Sequence, residues 1–377
     1  MSVYLDNAAT TALAPEVRTA MVEAMDHFGN PSSTHTFGRK ARLSIEQVRK
    51  QIADSLNCAP GEIVFTSGGT EADNFALLTA VRDLGCRHII TSPIEHHAVL
   101  HTAEFLSEQF GIELHMVDVD ARGRLNWSHL EQLLETHPQA LVSLMHGNNE
   151  IGNLIDISRL ASLCHGYGAF CHSDTVQTIG HYQVDVKAAP VDFLAASAHK
   201  FHGPKGVGFA YVKGGLRTRP LLHGGAQERG ARGGTENLLG IVGMGKALES
   251  TLGNLESDQQ HIRQLKSGLI HAIKTTLPQL EFFGACAESD SLDTVVNLAV
   301  PVTPQTGMLT FSLDMKGIAV SGGSACQSGS NQGSHVIRQL LAVSGETRAL
   351  TPLRVSFSRY NTMADVEALV EALKTVM

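Results

Sequence analysis

Between residues 60 and 212 two apolar rhythms alternate along the chain. Short continuous apolar runs, the signature of strands buried on both faces, are separated by stretches with three-to-four-residue apolar spacing. The runs are Ile63-Val64-Phe65, Ile89-Ile90, Leu114 to Val117, Ala140 to Met145, Ala169 to Cys171, Val191 to Ala196 and Val207 to Val212. Helical spacing is clearest in Ala41, Ile45, Val48, Ile52 and Leu56, and it returns from Thr70 to about Leu84, over Leu130–Leu134 and near Ile157–Cys164. A further helix is predicted to open at Pro15, to turn Val17, Met21, Ala24, Met25 and Phe28 inward, and to stop at Gly29. Alternating strands and helices predict an α/β fold whose large domain has a mainly parallel central sheet flanked by helices.

Beyond Leu238 the pattern changes. A long helical stretch runs to about Thr276 with a break near Gly253. Strands follow at Val295–Val300, Gly317–Val320 and Leu353–Phe357, and a helix closes the chain from Asp365 to Val376. This predicts a smaller α+β C-terminal domain. The expected division is a large domain over 14–254 and a small one made of 1–13 with 255–377. The first 13 residues read as an irregular lead-in that lines something rather than as a core strand.

Composition narrows the function classes. The chain has 377 residues, enough for two domains, and 43% are hydrophobic and 18% charged. The net charge is -8 and no basic run stands out, which excludes nucleic acid as a primary partner. No apolar stretch nears the ~20 residues that span a bilayer, so no membrane association is expected. The start lacks a basic segment followed by an apolar one, so no signal peptide is expected. Six cysteines without a C-x-x-C pair point to reduced thiols and a cytoplasmic location. The 19 histidines occur mainly as singletons and no H-E-x-x-H is present, so no metal site is expected.

The chemistry-bearing residues cluster at the ends of predicted strands. Ser67 to Thr70, His96, Asn149, Asp174 and Lys200 all fall there, where ligands bind in parallel sheets. Ser67-Gly68-Gly69-Thr70 joins a strand to a helix start, whose backbone N–H groups and the Thr70 hydroxyl suit a phosphate. Lys200 lies on a tight connection between two strands, shaped by Gly203-Pro204 and Gly206. Partial desolvation there would free its amine to attack a carbonyl. Cys326 sits in a glycine- and serine-rich run from Ser321 to Ser334, with little to pack, where a thiol is open to reaction. Arg354 offers a guanidinium suited to a substrate carboxylate.

Three strings carry a family resemblance: Ser197-Ala198-His199-Lys200, Asp174-Thr175-Val176-Gln177 and Gly323-Ser324-Ala325-Cys326. Together they resemble the pyridoxal-phosphate enzymes of the class V aminotransferase family (fold type I) and, within it, the cysteine desulfurases. The resemblance runs from Tyr4 to about Glu371. It implies pyridoxal 5′-phosphate bound covalently to Lys200, with Asp174 on the ring nitrogen and Gln177 on the phenolic oxygen. His96 would stack on the ring and shuttle protons. Gly69, Thr70, Ser197 and His199 would hold the phosphate, joined by Thr235 from a second subunit, which implies a homodimer. Asn149 would lie beside cofactor and substrate. Asn7 and Arg354 would bind substrate, and Cys326 would take sulfur from L-cysteine as a persulfide and pass it to an acceptor protein, an iron–sulfur scaffold among the candidates. The Gln327-Ser328-Gly329-Ser330 wording after the cysteine departs from the commoner Thr/Ser-Ser-Ala. Longer relatives carry a C-terminal segment that docks such a scaffold, and this sequence ends at Met377. Two readings stand beside this one: a selenocysteine lyase or other class V enzyme, and a cofactor-free sulfur-carrier or binding protein.

Overall fold

The computed structural model describes residues 2–322 and 333–377. Cys326, with its flanking glycines and serines, lies outside them. In chain order, β1 (Val3–Tyr4), α1 (Pro15–Ala24) and α2 (Thr36–Leu56) lead into β2 (Ile63–Thr66), α3 (Gly69–Arg82), β3 (His88–Thr91), α4 (His97–Phe110), β4 (Glu113–Met116) and α5 (Trp127–Thr136). Then come β5 (Leu141–Ser143), α6 (Ile157–Gly166), β6 (Phe170–Asp174), β7 (Phe193–Ser197) and β8 (Gly208–Val212). The remainder is α7 (Leu238–Gly253), α8 (Leu255–Thr276), β9 (Glu281–Phe282), β10 (Val295–Pro301), α9 (Leu309–Asp314), β11 (Ile318–Ala319), α10 (His335–Ser344), β12 (Leu350–Ser356) and α11 (Met363–Val376).

A seven-stranded sheet in the order β2-β8-β7-β6-β5-β3-β4 forms the centre. From β7 to β4 every pairing is parallel, whereas β8 runs antiparallel to both β7 and β2. Every residue of β5, β7 and β8 is buried, because helices cover both faces of the sheet. A separate apolar cluster joins Leu5, Leu269, Val296, Leu298, Leu353, Val355 and Leu369 around the antiparallel β12-β10-β9 sheet. The helical stretch from Leu238 breaks as expected. Ile241, Met244 and Leu248 of α7 pack in the central core, while Ile262, Leu265 and Leu269 of α8 pack in the second cluster.

Two local expectations fail. Helix α1 ends at Ala24, leaving Met25 and Phe28 57% and 76% exposed. The N–H groups of Met25, Asp26 and His27 donate three residues back, so the last turn tightens and the apolar stripe does not continue. The lead-in is only partly irregular. Val3 and Tyr4 pair in parallel with Ile318 and Ala319, and Leu5 is wholly buried. That pairing joins positions more than 300 residues apart, which no local pattern records.

A buried fork fixes the glycine-rich loop beyond β8. Arg49 donates from Nη1 and Nη2 to the Glu228 carboxylate at 2.7 and 2.8 Å, and the N–H of Phe65 donates to the same carboxylate at 2.8 Å. The loop holding Thr235 is thereby tied to the first strand of the sheet.

Candidate active site

A cavity of about 200 Å³ opens beyond the carboxyl ends of the parallel strands. At one end is Asp174, the last residue of β6 and only 6% exposed. Its Oδ1 accepts the N–H of Val176 at 2.9 Å. Burial raises its carboxyl to about 6, against the Val176 hydrogen bond and the Lys200 charge, which favour the ionised form.

Lys200 enters from the turn that follows β7. The turn begins as a short 3-10 helix over Ala198–Lys200. The Lys200 carbonyl accepts from His181 Nε2 at 2.9 Å, and Nζ donates to the carbonyls of Ala8 and Ala9 at 2.6 and 3.0 Å. The lead-in therefore forms one wall of the cavity. Gln177 Nε2 donates to the same Ala8 carbonyl at 3.0 Å.

Helix α3 starts at Gly69, and the N–H groups of its first turn have no acceptor within the helix. Gly69, Thr70, Ser197 and His199 line this end of the cavity. The close approach requires glycine twice. A Cβ on Gly69 would lie 2.5 Å from Val176 Cγ2, and one on Gly208 would lie 2.2 Å from the Ala196 carbonyl oxygen.

His96 caps α4, and its Nδ1 accepts the N–H of Ala98 at 3.1 Å. Burial and the nearby Lys200 charge push its pKa down to about 4. The ring is therefore neutral at pH 7, and because Nδ1 accepts, Nε2 carries the hydrogen. His199 is likewise pushed down to about 4 by burial and by Lys200, and its Nδ1 lies 3.1 Å from Thr10 Oγ1.

Arg354, on β12, is 1% exposed. Its Nη1 donates to the Asn149 carbonyl at 3.0 Å and its Nη2 to Asp6 Oδ1 at 2.9 Å, while Nε is buried without a partner. The guanidinium lines the cavity, and Nη1 and Nη2 each carry a second N–H beyond these bonds.

The cavity thus gathers Gly69, Thr70, His96, Asn149, Asp174, Gln177, Ser197, His199, Lys200 and Arg354. Among the described residues, two predicted ones do not line it. Asn7 donates instead to the Ser356 carbonyl at 2.8 Å and to Asn361 Oδ1 at 3.1 Å, and so ties the lead-in to β12. Thr235 lines a separate cavity of about 100 Å³ beside Ser67, Arg232 and Glu236.

Asp73, on α3, also lines the cavity and is not among the residues singled out from the sequence. It is 1% exposed, and its Oδ1 lies 3.4 Å from Nε2 of the fully buried His172. Burial, Asp174 and Glu95 all raise the Asp73 carboxyl, while His172 Nδ1 lies 2.8 Å from Ser143 Oγ. The one signal in the sequence was spacing: His172 and Asp174 are two apart on a strand and so share a face.

The donor set fits pyridoxal phosphate: a lysine amine, a buried carboxylate at one end and a glycine-lined helix start with hydroxyl and imidazole neighbours at the other. Enzymes that use this cofactor on a parallel sheet with a small second unit form a known class. The chain belongs to the aminotransferase class-V family, whose model matches residues 3–369. That family depends on pyridoxal phosphate. The chain is 40% identical to the cysteine desulfurase IscS of Clostridium botulinum over all of this chain and 94% of that one. Against the cysteine desulfurase IscS of Methanosarcina thermophila the identity is also 40%, over 100% of this chain and 92% of that one. Among solved structures, a NifS-like protein superposes with a TM-score of 0.90 at 34% identity, covering 100% and 99% of the two chains. A structure titled SspA in complex with cysteine gives 0.80 at 31%, over 96% of this chain and 100% of that one.

Proposed function

We propose that this chain is a pyridoxal-phosphate-dependent cysteine desulfurase that converts L-cysteine to L-alanine and takes the sulfur onto Cys326. The observation that carries the reading is the meeting of Lys200 Nζ, buried Asp174, the start of α3 and the Arg354 side chain in one cavity.

When bound, pyridoxal phosphate withdraws electrons from the substrate Cα and makes its proton removable. Asp174, raised only to about 6, is ionised at neutral pH and would hold a proton on the ring nitrogen. Gln177 spends one amide hydrogen on Ala8 and keeps the other for the phenolic oxygen. Gly69, Thr70, Ser197 and His199 bind the phosphate with backbone and side-chain donors. Lys200 Nζ would hold the cofactor, and its amine would take the Cα proton of the substrate. His96 has Nδ1 committed to Ala98, so its Nε2–H donates and does not serve as a base. Arg354 and Asn149 would bind the substrate carboxylate. The Cys326 thiolate then attacks the substrate sulfur. The carbon–sulfur bond breaks, a sulfur–sulfur bond forms, and the carbon skeleton leaves as L-alanine after reprotonation.

The same reading divides the chain near Asn254 into a cofactor-binding unit and a smaller one that includes the lead-in. It also makes the enzyme a cytoplasmic homodimer, with Thr235 completing the partner's phosphate site and a sulfur-acceptor protein taking the persulfide. Supporting it are the change of core between α7 and α8 and the place of Thr235 outside its own chain's cavity. Among the described residues no helix is long and apolar enough to cross a membrane.

The test is visible absorbance of the purified protein, then alanine and sulfide release from L-cysteine, for wild type and Cys326→Ala. A yellow wild type that makes both products, with a variant that stays yellow but stops turning over, supports the proposal. A variant that turns over unchanged removes the persulfide role and favours a selenocysteine lyase or another class-V activity.

A further inference from the structure

At the opposite end of the sheet from the cavity, three imidazoles and a carboxylate converge. His88 is the first residue of β3 and Glu113 the first of β4, and the two are register partners. His115 lies two residues beyond Glu113, on the same face of that strand. His137 caps the C-terminal end of α5 and closes the group from above. His88 Nδ1 and His115 Nε2 are 3.2 Å apart, and Glu113 Oε2 is 3.7 Å from each. The His115 and His137 rings stack with centroids 3.8 Å apart, and His88 and His137 are 4.7 Å apart. One ligand atom from each of the four residues lies within 4.8 Å of the others.

From this geometry we propose that His88, Glu113, His115 and His137 form a structural Zn²⁺ site. Ligands at about 2.0–2.1 Å around a tetrahedral zinc lie about 3.3 Å from one another. The 3.2 and 3.7 Å separations bracket that value, so an ion needs only side-chain adjustments. Imidazole with carboxylate is a donor set for zinc rather than for calcium or magnesium. Entry is open, since the Glu113 side chain is 67% exposed while those of His88 and His115 are 21% and 17% exposed.

Location assigns the role. The site is at the amino ends of β3 and β4, whereas catalysis belongs at the carboxyl ends. β4 is the edge of the seven-stranded sheet. An ion here would tie that edge strand to its neighbour and to the end of α5, a clip rather than a catalyst. With four protein ligands the site is closed, as structural zinc sites are. The grouping is hard to read from the sequence, because its residues come from three separate elements. Only Glu113-Leu114-His115 has a local pattern.

The test uses chelator-stripped holoenzyme titrated with Zn²⁺ alone, without substrate, against a competing chromophoric chelator. Wild type binds one ion per chain, and X-ray absorption at the zinc edge shows nitrogen and oxygen ligands with no sulfur. The double variant His88→Ala/His115→Ala binds more than about 100-fold more weakly, beyond the range caused by losing only outer partners. Zinc raises the melting temperature of wild type but not of that variant, and it leaves turnover of the wild type unchanged. Absence of micromolar binding, sulfur in the first shell, or equal affinity in the variant would each overturn the site. Should the double variant not fold, Glu113→Gln and the wild-type absorption spectrum still decide.

Discussion

Replacing Gly69 by alanine should weaken the cofactor without weakening the fold. The new Cβ would lie 2.5 Å from Val176 Cγ2, against 3.5–4.0 Å for an ordinary carbon contact, so Val176 must move by about 1 Å. Val176 lines the cavity, so the open direction is inward, toward the space the cofactor takes. Its N–H also holds Asp174 Oδ1 at 2.9 Å, so the displacement pulls on the ring-nitrogen partner as well. Overpacking of this kind costs about 1–3 kcal/mol. The strain relaxes when the cavity is empty and returns when it is filled, so it appears in affinity, as a loss of about 5- to 150-fold. Stability of the cofactor-free protein should hold or rise, because Gly→Ala removes about 0.4–1 kcal/mol of unfolded-state entropy. The assay is titration of cofactor-free protein with pyridoxal phosphate by visible absorbance, alongside its melting temperature. Val176→Ala is the internal control: the nearest remaining atoms, Ser197 Cβ and Val176 Cβ, both lie 3.8 Å from the new methyl, so Gly69→Ala/Val176→Ala should regain the affinity of Val176→Ala alone. Wild-type affinity in Gly69→Ala, or no recovery in the double variant, would refute the reasoning.

Arg354→Lys should raise KM for L-cysteine by about 10- to 150-fold, the loss of charge-assisted hydrogen bonds worth about 1.5–3 kcal/mol, with cofactor absorbance unchanged. A lysine lacks the planar fork that holds the Asn149 carbonyl and Asp6 on separate nitrogens and leaves further N–H groups for a substrate carboxylate. An unchanged KM would place the carboxylate elsewhere. The pH dependence of stability carries a third test. His172 is wholly buried and pushed down to about 3 by burial, while an unfolded histidine titrates near 6.5. Between those values the unfolded chain binds a proton that the native one does not, so stability rises with pH. The contribution is fully present above pH 6.5 and is lost as pH falls toward 3. His172→Asn should therefore flatten the dependence of unfolding free energy on pH by about 1.4 kcal/mol per unit over pH 4–6, read from urea unfolding. Parallel curves would show that His172 is not neutral in the native state.

Much of this architecture is legible in the sequence for a physical reason. Strands buried on both faces must be continuously apolar, and each gap must hold a covering helix. The residue after each strand then falls at one end of the sheet, which is why Asp174, Lys200 and the Ser67–Thr70 turn could be grouped before any coordinates. What stayed hidden depends on distant partners. The fate of Met25 and Phe28 turns on where one helix tightens, and the spacing runs straight through that point. Asn7 sits beside residues that line the cavity, but Ser356 and Asn361 claim its amide. Asp73 has the sequence context of any helical acid, and only its closeness to His172 and Asp174 sets it apart.

The lead-in shows how such a segment can govern a site while looking featureless. Leu5 belongs to the second core, Asp6 binds Arg354, and Asn7 binds β12. Ala8 and Ala9 then offer carbonyls to Lys200, and the N–H of Thr11 donates to the His199 carbonyl at 2.9 Å. The lead-in thus passes from the element that bears Arg354 to the turn that bears Lys200. Small side chains at Ala8 and Ala9 leave the backbone free to do this, and backbone acceptors need no particular residue type. A motion of the second core would pass through only a few peptide units before reaching Lys200 Nζ. In the proposed reaction the sulfur-accepting cysteine belongs to that second unit and the lysine to the first, so these peptides set the relative position of the proton transfer at Cα and the carboxylate held by Arg354.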